Sequence, residues 1–348
     1  MNQPCPAFAL MTCAHGAERL VQRSIADAGW RLAFSRPGLV TAKHDRRDAP
    51  LPSGTFIRTA SRSVGSFRGE RLSELTRQLT GAIEEASLPS IDHLHVFPRD
   101  RAAVGRFGFE PGVDEVSKLV AETIHPRIQQ TIASECPNTI ADPWQNVLDV
   151  VLVQPDHWMV GYHRVADRHG GWPGGVQPID PKYPPVSRAY YKAAEAIAWS
   201  GFDLRPDDLA IEIGSAPGGA CGRLLEMGLR VIGVDPAEMD PRIARHRRFE
   251  HIVARGGDIP RRRYAGAKWL LVDSNVRPDQ TLTTVENIVR HDAVDFKGLL
   301  LTLKIGGYEH ADRIDGWIRR IETWQPSHIA VKQLARNKVE VCIAVRLR

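Results

Sequence analysis

The chain has 348 residues, a formal net charge of +5 and a sequence pI near 9.0, with 43% apolar and 25% charged residues. That length suits two or three domains with separate cores, and the composition is that of a folded globular protein rather than a disordered one. No apolar run is long enough to span a bilayer, and the excess of base makes an acidic partner, nucleic acid above all, a natural expectation.

From the N-terminus the pattern predicts a strand at 8–12, a helix with apolar spacing at Leu20, Ile25 and Ala28, and strands near 31–34 and 39–43. The opening Met1-Asn2-Gln3-Pro4-Cys5-Pro6 lacks a basic segment followed by an apolar stretch, so it does not read as a signal peptide and the cytoplasm is the expected location. After the Ala49-Pro50-Leu51-Pro52-Ser53-Gly54 break, a second α+β stretch is predicted: helices near 72–86 and 113–127, and strands at 93–97, 147–154 and 157–162. A Gly/Pro-rich connector over 167–185 then marks the main boundary. The expected organisation is a small β-α-β-β unit at 1–60, a second α+β unit at 61–166, the linker at 167–185 and a larger α/β domain at 186–348. In the last, strands are predicted at 209–213, 230–234, 269–272, 299–303, 329–332 and 339–345, with helices between most of them. Only residues 333–338 separate the final two, too few for a crossover helix, so that pair must be antiparallel within a doubly wound sheet. The five cysteines, Cys5, Cys13, Cys136, Cys221 and Cys342, form no C-x-x-C pair and have no histidine at zinc-ligand spacing, so they read as reduced thiols with no metal site.

The segment Leu209-Ala210-Ile211-Glu212-Ile213 runs directly into Gly214-Ser215-Ala216-Pro217-Gly218-Gly219 and then into a helix. Such a strand–turn–helix brings backbone close to a ligand at the carboxyl edge of an open sheet. The next strand ends in Val234-Asp235, where a carboxylate suits ribose hydroxyls. The proline and the missing second glycine speak against a pyrophosphate-binding dinucleotide site, leaving S-adenosylmethionine, with ribose and adenine but no phosphate, as the better ligand.

Asp273 and Lys304 fall at the carboxyl ends of two predicted parallel strands. Glu340 starts an antiparallel one, so all three project at the ligand edge. Lys192 lies on the helix leading into the domain, and its spacing alone does not fix its position. Two lysines and two carboxylates beside a nucleotide-type site suit activation of a weak nucleophile such as a ribose 2′-hydroxyl, which must be aligned with the methyl group and relieved of its proton. A lysine can take that proton if its pKa falls from the reference of about 10.4.

Ser187-Arg188-Ala189-Tyr190-Tyr191-Lys192, the glycine turn, Asp273, Thr302-Leu303-Lys304 and Glu340 together resemble the FtsJ-like ribose 2′-O-methyltransferases, marked by a Lys-Asp-Lys-Glu tetrad. Within that superfamily the chain is similar to the large-subunit ribosomal RNA methyltransferase M family, which methylates a cytidine ribose of 23S rRNA and carries an N-terminal RNA-binding region with a THUMP domain. The likeness is sharp from Ser187 onward. Before it, it rests on Cys13-Ala14-His15-Gly16-Ala17-Glu18, on Phe56-Ile57-Arg58-Thr59-Ala60 and on the β-α layout. It implies a Rossmann-like methyltransferase sheet with a C-terminal antiparallel pair, preceded by ferredoxin-like and THUMP-type α+β units. It makes Lys304 the proton acceptor in a tetrad with Lys192, Asp273 and Glu340. Cofactor contacts are implied at Ser187, Gly214, Ala216, Pro217, Gly218, Gly219, Asp235, Asp258 and Asp273. The expected partner is RNA, either 23S rRNA or a large-subunit precursor, with neither membrane nor metal. One departure is Ala220, where the family usually has an aromatic residue.

Eight arginines (Arg242, Arg245, Arg247, Arg248, Arg255, Arg261, Arg262 and Arg263) crowd the region after the second strand of this domain, and Arg58, Arg62, Arg68 and Arg71 interleave with Phe56 and Phe67. Both sets suit phosphate neutralisation, although a charge run is more often a solvated face. Alternative readings are an RNA base methyltransferase, against which stands the absence of an N-P-P-Y tetrapeptide or catalytic-cysteine motif, and a non-catalytic RNA-binding assembly factor, against which stands the intact set of four charged residues.

Overall fold

The computed structural model describes residues 7–86 and 88–347, so Cys5 and the N-terminal segment inspected for a signal lie outside the described residues. The chain divides into two compact units, Met1–Pro178 and Ile179–Arg348. The split falls inside the Gly/Pro-rich stretch, where Trp172 is buried.

The first unit runs β1 (Ala7–Thr12), α1 (Glu18–Asp27), β2 (Arg31–Arg36), β3 (Leu39–His44), β4 (Thr59–Arg68), α2 (Leu72–Ala86), β5 (His93–Pro98), α3 (Glu115–Ile128), β6 (Asn146–Gln154) and β7 (His157–Arg164). All seven strands form one sheet, ordered β2-β3-β1-β4-β7-β6-β5, with only β5 and β6 parallel. The sequence reading assigned no strand to β4, which joins the two halves by pairing with β1 and β7. Its Thr-Ala-Ser-Arg-Ser-Val-Gly-Ser run has weak strand propensity, and tertiary pairing overrides it. Gly65 sits at a bulge where a Cβ would fall 2.6 Å from the Phe67 ring. On one face α2 and α3 cover Leu94, Val96, Leu148, Val150 and Trp158. The Asp114 carboxylate caps α3 by accepting from the Ser117 N–H at 2.8 Å.

Arg58 and His163 are among the buried polar residues of this unit. Arg58, which the sequence offered as an RNA-tracking arginine, is instead buried in a two-pronged pair with Asp100, both bonds 2.7 Å. It is therefore unavailable to phosphate. His163 satisfies local hydrogen bonds through Asp149 at 2.8 Å and the Gly170 carbonyl at 2.9 Å.

The second unit contains α4 (Ala189–Ser200), β8 (Leu209–Ile213), α5 (Gly219–Glu226), β9 (Arg230–Val234), α6 (Pro241–Ala244), β10 (Phe249–Ile252), β11 (Trp269–Val272), α7 (Pro278–Val289), β12 (Gly298–Lys304), α8 (Arg313–Glu322), β13 (His328–Lys332) and β14 (Glu340–Arg346). The sheet order is β10-β9-β8-β11-β12-β14-β13; β8 through β12 run parallel and β14 runs antiparallel to both its neighbours. This is the doubly wound α/β fold predicted, with its antiparallel pair. Two features go beyond the prediction. The short edge strand β10 was not anticipated, and β14 inserts between β12 and β13, which sets Glu340 directly opposite Lys304. The core beneath α4 and α5 gathers Ala210, Cys221, Leu224, Val231, Trp269 and Leu271. Among the described residues no helix is long and apolar enough to cross a membrane.

Candidate active site

Strand order reverses at β8: the chain builds outward through β9 and β10, then returns to lay β11 on the other side of β8. Ligands in open α/β sheets sit outside the carboxyl ends of the strands at such a switch. A cleft of about 820 Å³ occupies that position, lined by the strand ends Ile213, Val234 and Val272 and by Gly214, Asp235 and Asp258.

The glycine turn is held by its neighbours. Gly214 has φ +83°, and a Cβ there would lie 2.5 Å from the Asp273 carbonyl oxygen, so only glycine lets the turn pass this close to β11. Asp235 ties the turn to the end of β9, one carboxylate oxygen accepting from the Ala216 N–H at 3.2 Å and the other from the Ala237 N–H at 2.8 Å. The Ala216–Pro217 peptide is cis.

Of the nine cofactor contacts implied by the family resemblance, Gly214, Ala216, Asp235, Asp258 and Asp273 line this cleft. Ser187, Pro217, Gly218 and Gly219 do not. Gly218 packs against Met239 and Ile243, and a Cβ on Gly219 would collide with the Ser187 hydroxyl and, at 2.9 Å, with the Tyr190 nitrogen. These glycines let α5 approach the start of α4. Ala220, at the family's aromatic position, is buried in the same core.

The four charged residues meet. Lys192, on α4, directs its ammonium to Asp273 Oδ2 and Glu340 Oε1, each at 2.6 Å. Lys304 Nζ lies 3.8 Å from Glu340 Oε2. Glu340 is 4% exposed, whereas the Lys304 side chain is 37% exposed and is the more solvent-facing of the two lysines. Burial alone would push the Lys192 pKa down, but the Asp273 and Glu340 carboxylates outweigh it and hold it above its ordinary value. Burial alone would likewise raise the Glu340 carboxyl, and the Lys192 and Lys304 cations hold it below its ordinary value. Lys192 is thus a fixed cation.

Several supporting residues escaped the sequence reading. Asn337, buried in the turn before β14, accepts from the Leu334 N–H at 2.9 Å and donates to Glu340 Oε1 at 3.4 Å. Glu195, fully buried one turn beyond Lys192, accepts from the Arg336 N–H at 2.9 Å, fastening that turn to α4. Gln333 bridges the Tyr308 hydroxyl and the Lys338 carbonyl. Glu212, beneath the glycine turn, takes the Cys221 thiol at 2.8 Å, and burial foremost, with the Asp273 and Asp235 charges, pushes its pKa up to about 8. Glu195 carried the single sequence signal, an acid at i+3 from Lys192 on one helix face.

The arginine cluster is partly neutralised. Arg242 pairs with Asp240, Arg248 with Asp207 and Arg263 with Glu250, while Arg261 donates to the Ile259 and Gly257 carbonyls. Arg245, Arg247, Arg255 and Arg262 are exposed.

Residues 185–293 match the family model described as FtsJ-like methyltransferase. Ribosomal RNA large subunit methyltransferase M of Azoarcus sp. (strain BH72) is 24% identical over 195 residues, which cover 53% of this chain and 52% of that protein. The protein of the same name from Aromatoleum aromaticum is 30% identical over 120 residues, 33% of this chain and 32% of that one. The chain thus spans about half the length of the Azoarcus relative and about a third of the Aromatoleum one. A solved structure, the Methanococcus jannaschii fibrillarin pre-rRNA processing protein, is similar at 10% identity and a TM-score of 0.35, covering 57% of this chain and 81% of that one. The resemblance read from the sequence is borne out by the family match and the named relatives.

Proposed function

We propose that this chain is an S-adenosylmethionine-dependent RNA ribose 2′-O-methyltransferase acting on a cytidine of 23S rRNA, with Lys304 as proton acceptor in a Lys192-Asp273-Lys304-Glu340 tetrad. The observation that carries the reading is the convergence of two lysines and two carboxylates at the sheet edge beside the large cleft. A solvated charge at a strand end needs no such convergence.

The cofactor is supported by the cleft itself. Its volume lies within the range of about 300–1,000 Å³ usual for sites of small organic ligands. The Asp235 and Asp258 carboxylates that line it are acceptors suited to ribose hydroxyls and a purine amino group, and the Gly214 turn brings backbone against it. S-adenosylmethionine would supply an electrophilic methyl group on its sulfonium. Asp235 and Asp258 would hold the hydroxyls and base, and the Gly214 turn would admit the ligand against the backbone. Lys304 Nζ, after losing its own proton to solvent, takes the proton of the ribose 2′-hydroxyl in its neutral amine form. Lys192, fixed as a cation, orients Asp273 and Glu340 and keeps positive charge beside the oxygen as its proton leaves. The N-terminal unit is read as the RNA-gripping part, ferredoxin-like over 1–60 and THUMP-type over 61–166.

The test is methyl transfer by the full chain to unmodified 23S rRNA, followed by alkaline hydrolysis. Ribose methylation blocks cleavage at the modified position, and Lys304→Ala should abolish it. A product that cleaves normally would mean base methylation. Absence of transfer, with RNA bound but no S-adenosylmethionine binding by calorimetry, would mean an assembly factor.

A further inference from the structure

A second cleft lies within the same unit, about 570 Å³ in volume, between the 182–186 segment and helices α5 and α6. Gly219, a residue implied by the family resemblance to touch cofactor, lines this cleft and not the first. Its acids are already engaged. Glu226 accepts from the Tyr190 hydroxyl and from the Lys182 N–H and faces Arg223 at 3.7 Å, and Asp240 nearby is held by Arg242 at 2.9 Å. Of the basic groups lining the cleft, Arg242 is engaged with Asp240, whereas Lys182 and His246 pair with no carboxylate among the described residues. The Lys182 side chain is exposed and makes no ion pair among the described residues. His246 accepts from the Arg248 N–H through Nδ1 at 3.2 Å, so in the neutral ring Nε2 carries the proton and is the donor. Tyr183, between Lys182 and the Pro184-Pro185 pair, is 78% exposed. The prolines restrict the backbone around it, and the Pro184 carbonyl is anchored by Arg242 at 3.2 Å. The ring is therefore preset as an open aromatic platform beside a basic rim.

We propose that this cleft takes one nucleotide of the single-stranded RNA that carries the target ribose, its base stacked on Tyr183 and its phosphate held by Lys182 and His246. The inference rests on the reading of RNA as substrate. A ring face stacks on any base, and an exposed lysine that no carboxylate pairs, with an imidazole N–H donor lining the same cleft, favours a phosphate; both are the usual means of holding single strands. Reach is adequate. The six residues from Tyr183 to Ala189 and the helical rise to Lys192 together span at most about 25 Å, close enough for a base held here to belong to the same strand as the reacting ribose, a few nucleotides away.

The experiment uses the full chain and a fluorescein-labelled single-stranded RNA of about twelve nucleotides, titrated by anisotropy at two salt concentrations. Tyr183→Ala should weaken binding by about 5- to 150-fold, the worth of one base stack. Tyr183→Trp should restore it, because stacking needs a ring and not the hydroxyl. Lys182→Ala should reduce the magnitude of the salt slope by about one. S-adenosylhomocysteine affinity and melting temperature should stay as in wild type, which separates a lost contact from a lost fold. The cleft proposal is overturned if Tyr183→Ala binds like wild type, or if Trp fails to restore what Ala removes. A wild-type chain that does not bind the RNA would overturn the substrate reading as well, so the two failures are distinguishable.

Discussion

Replacing Lys192 by Met tests whether the four charged residues form one electrostatic unit. Its ammonium is 2.6 Å from Asp273 and from Glu340, and Glu340 is 4% exposed. Methionine keeps the stem and removes the charge, leaving Glu340 with Lys304 at 3.8 Å as its cation. Deleting one partner of a buried pair costs about 3–5 kcal/mol, mostly because the survivor stays charged without solvent. Adding Glu340→Gln removes the stranded charge, so the double variant should recover about 1–3 kcal/mol relative to Lys192→Met alone. Cys342, buried two residues along β14 from Glu340, provides a local reporter. Thiol-modification rates of the Cys342 peptide in a urea series, read by mass spectrometry, give the opening free energy of this unit. The pH dependence has a definite sign. Glu340 is held below its ordinary 4.5, so its contribution is present above 4.5 and lost as pH falls through the lower folded value. The deficit of Lys192→Met should therefore shrink in acid. Losses that simply add in the double variant, or a Lys192→Met chain within about 1 kcal/mol of wild type, would refute the unit.

Glu212→Gln should stabilise the protein increasingly as pH rises. In the fold its carboxyl keeps a proton up to about 8, where the unfolded chain has lost it above 4.5, so wild-type stability falls with pH across that window. At about 1.4 kcal/mol per pH unit, calorimetry of the two chains in parallel should show the melting gap widening by about 3–5 °C per pH unit; parallel curves would count against it. Asn337→Asp preserves the acceptor for the Leu334 N–H but replaces the donor facing Glu340 with a negative charge. Carbon-13 NMR should show Glu340 titrating at higher pH than in wild type, with methyl transfer down on the order of tenfold to a hundredfold; an unmoved titration would leave Asn337 with turn capping alone. Gly214→Ala places a methyl group 2.5 Å from the Asp273 carbonyl oxygen at φ +83°. It should destabilise by more than about 1 kcal/mol and weaken S-adenosylhomocysteine binding in calorimetry, and wild-type affinity would contradict the close-approach role of the turn.

Much of the second unit was legible because its signals are local. Apolar runs bounded by glycine and helix periodicity marked β8, β9, β11, β12, β13 and β14, and the short 333–338 connection required an antiparallel end. The first unit was less legible at β4, whose small polar residues become strand only between β1 and β7. Arg58 read as a surface cation because nothing in its own segment announces Asp100, 42 positions away.

By itself the sequence determined the strand–turn–helix around Gly214 and, through strand polarity, the common edge of Asp273, Lys304 and Glu340. Polarity follows from connection lengths, and alternation from the two-residue period of a strand, so both are written in short stretches of chain. Only the tertiary structure decided that β14 inserts beside β12, which makes Lys304 and Glu340 direct cross-strand neighbours. Only it brought Lys192 from α4 between two carboxylates, 81 residues from Asp273 in sequence. Such meetings depend on which faces pack and in what register, a property of the whole core that no local period encodes.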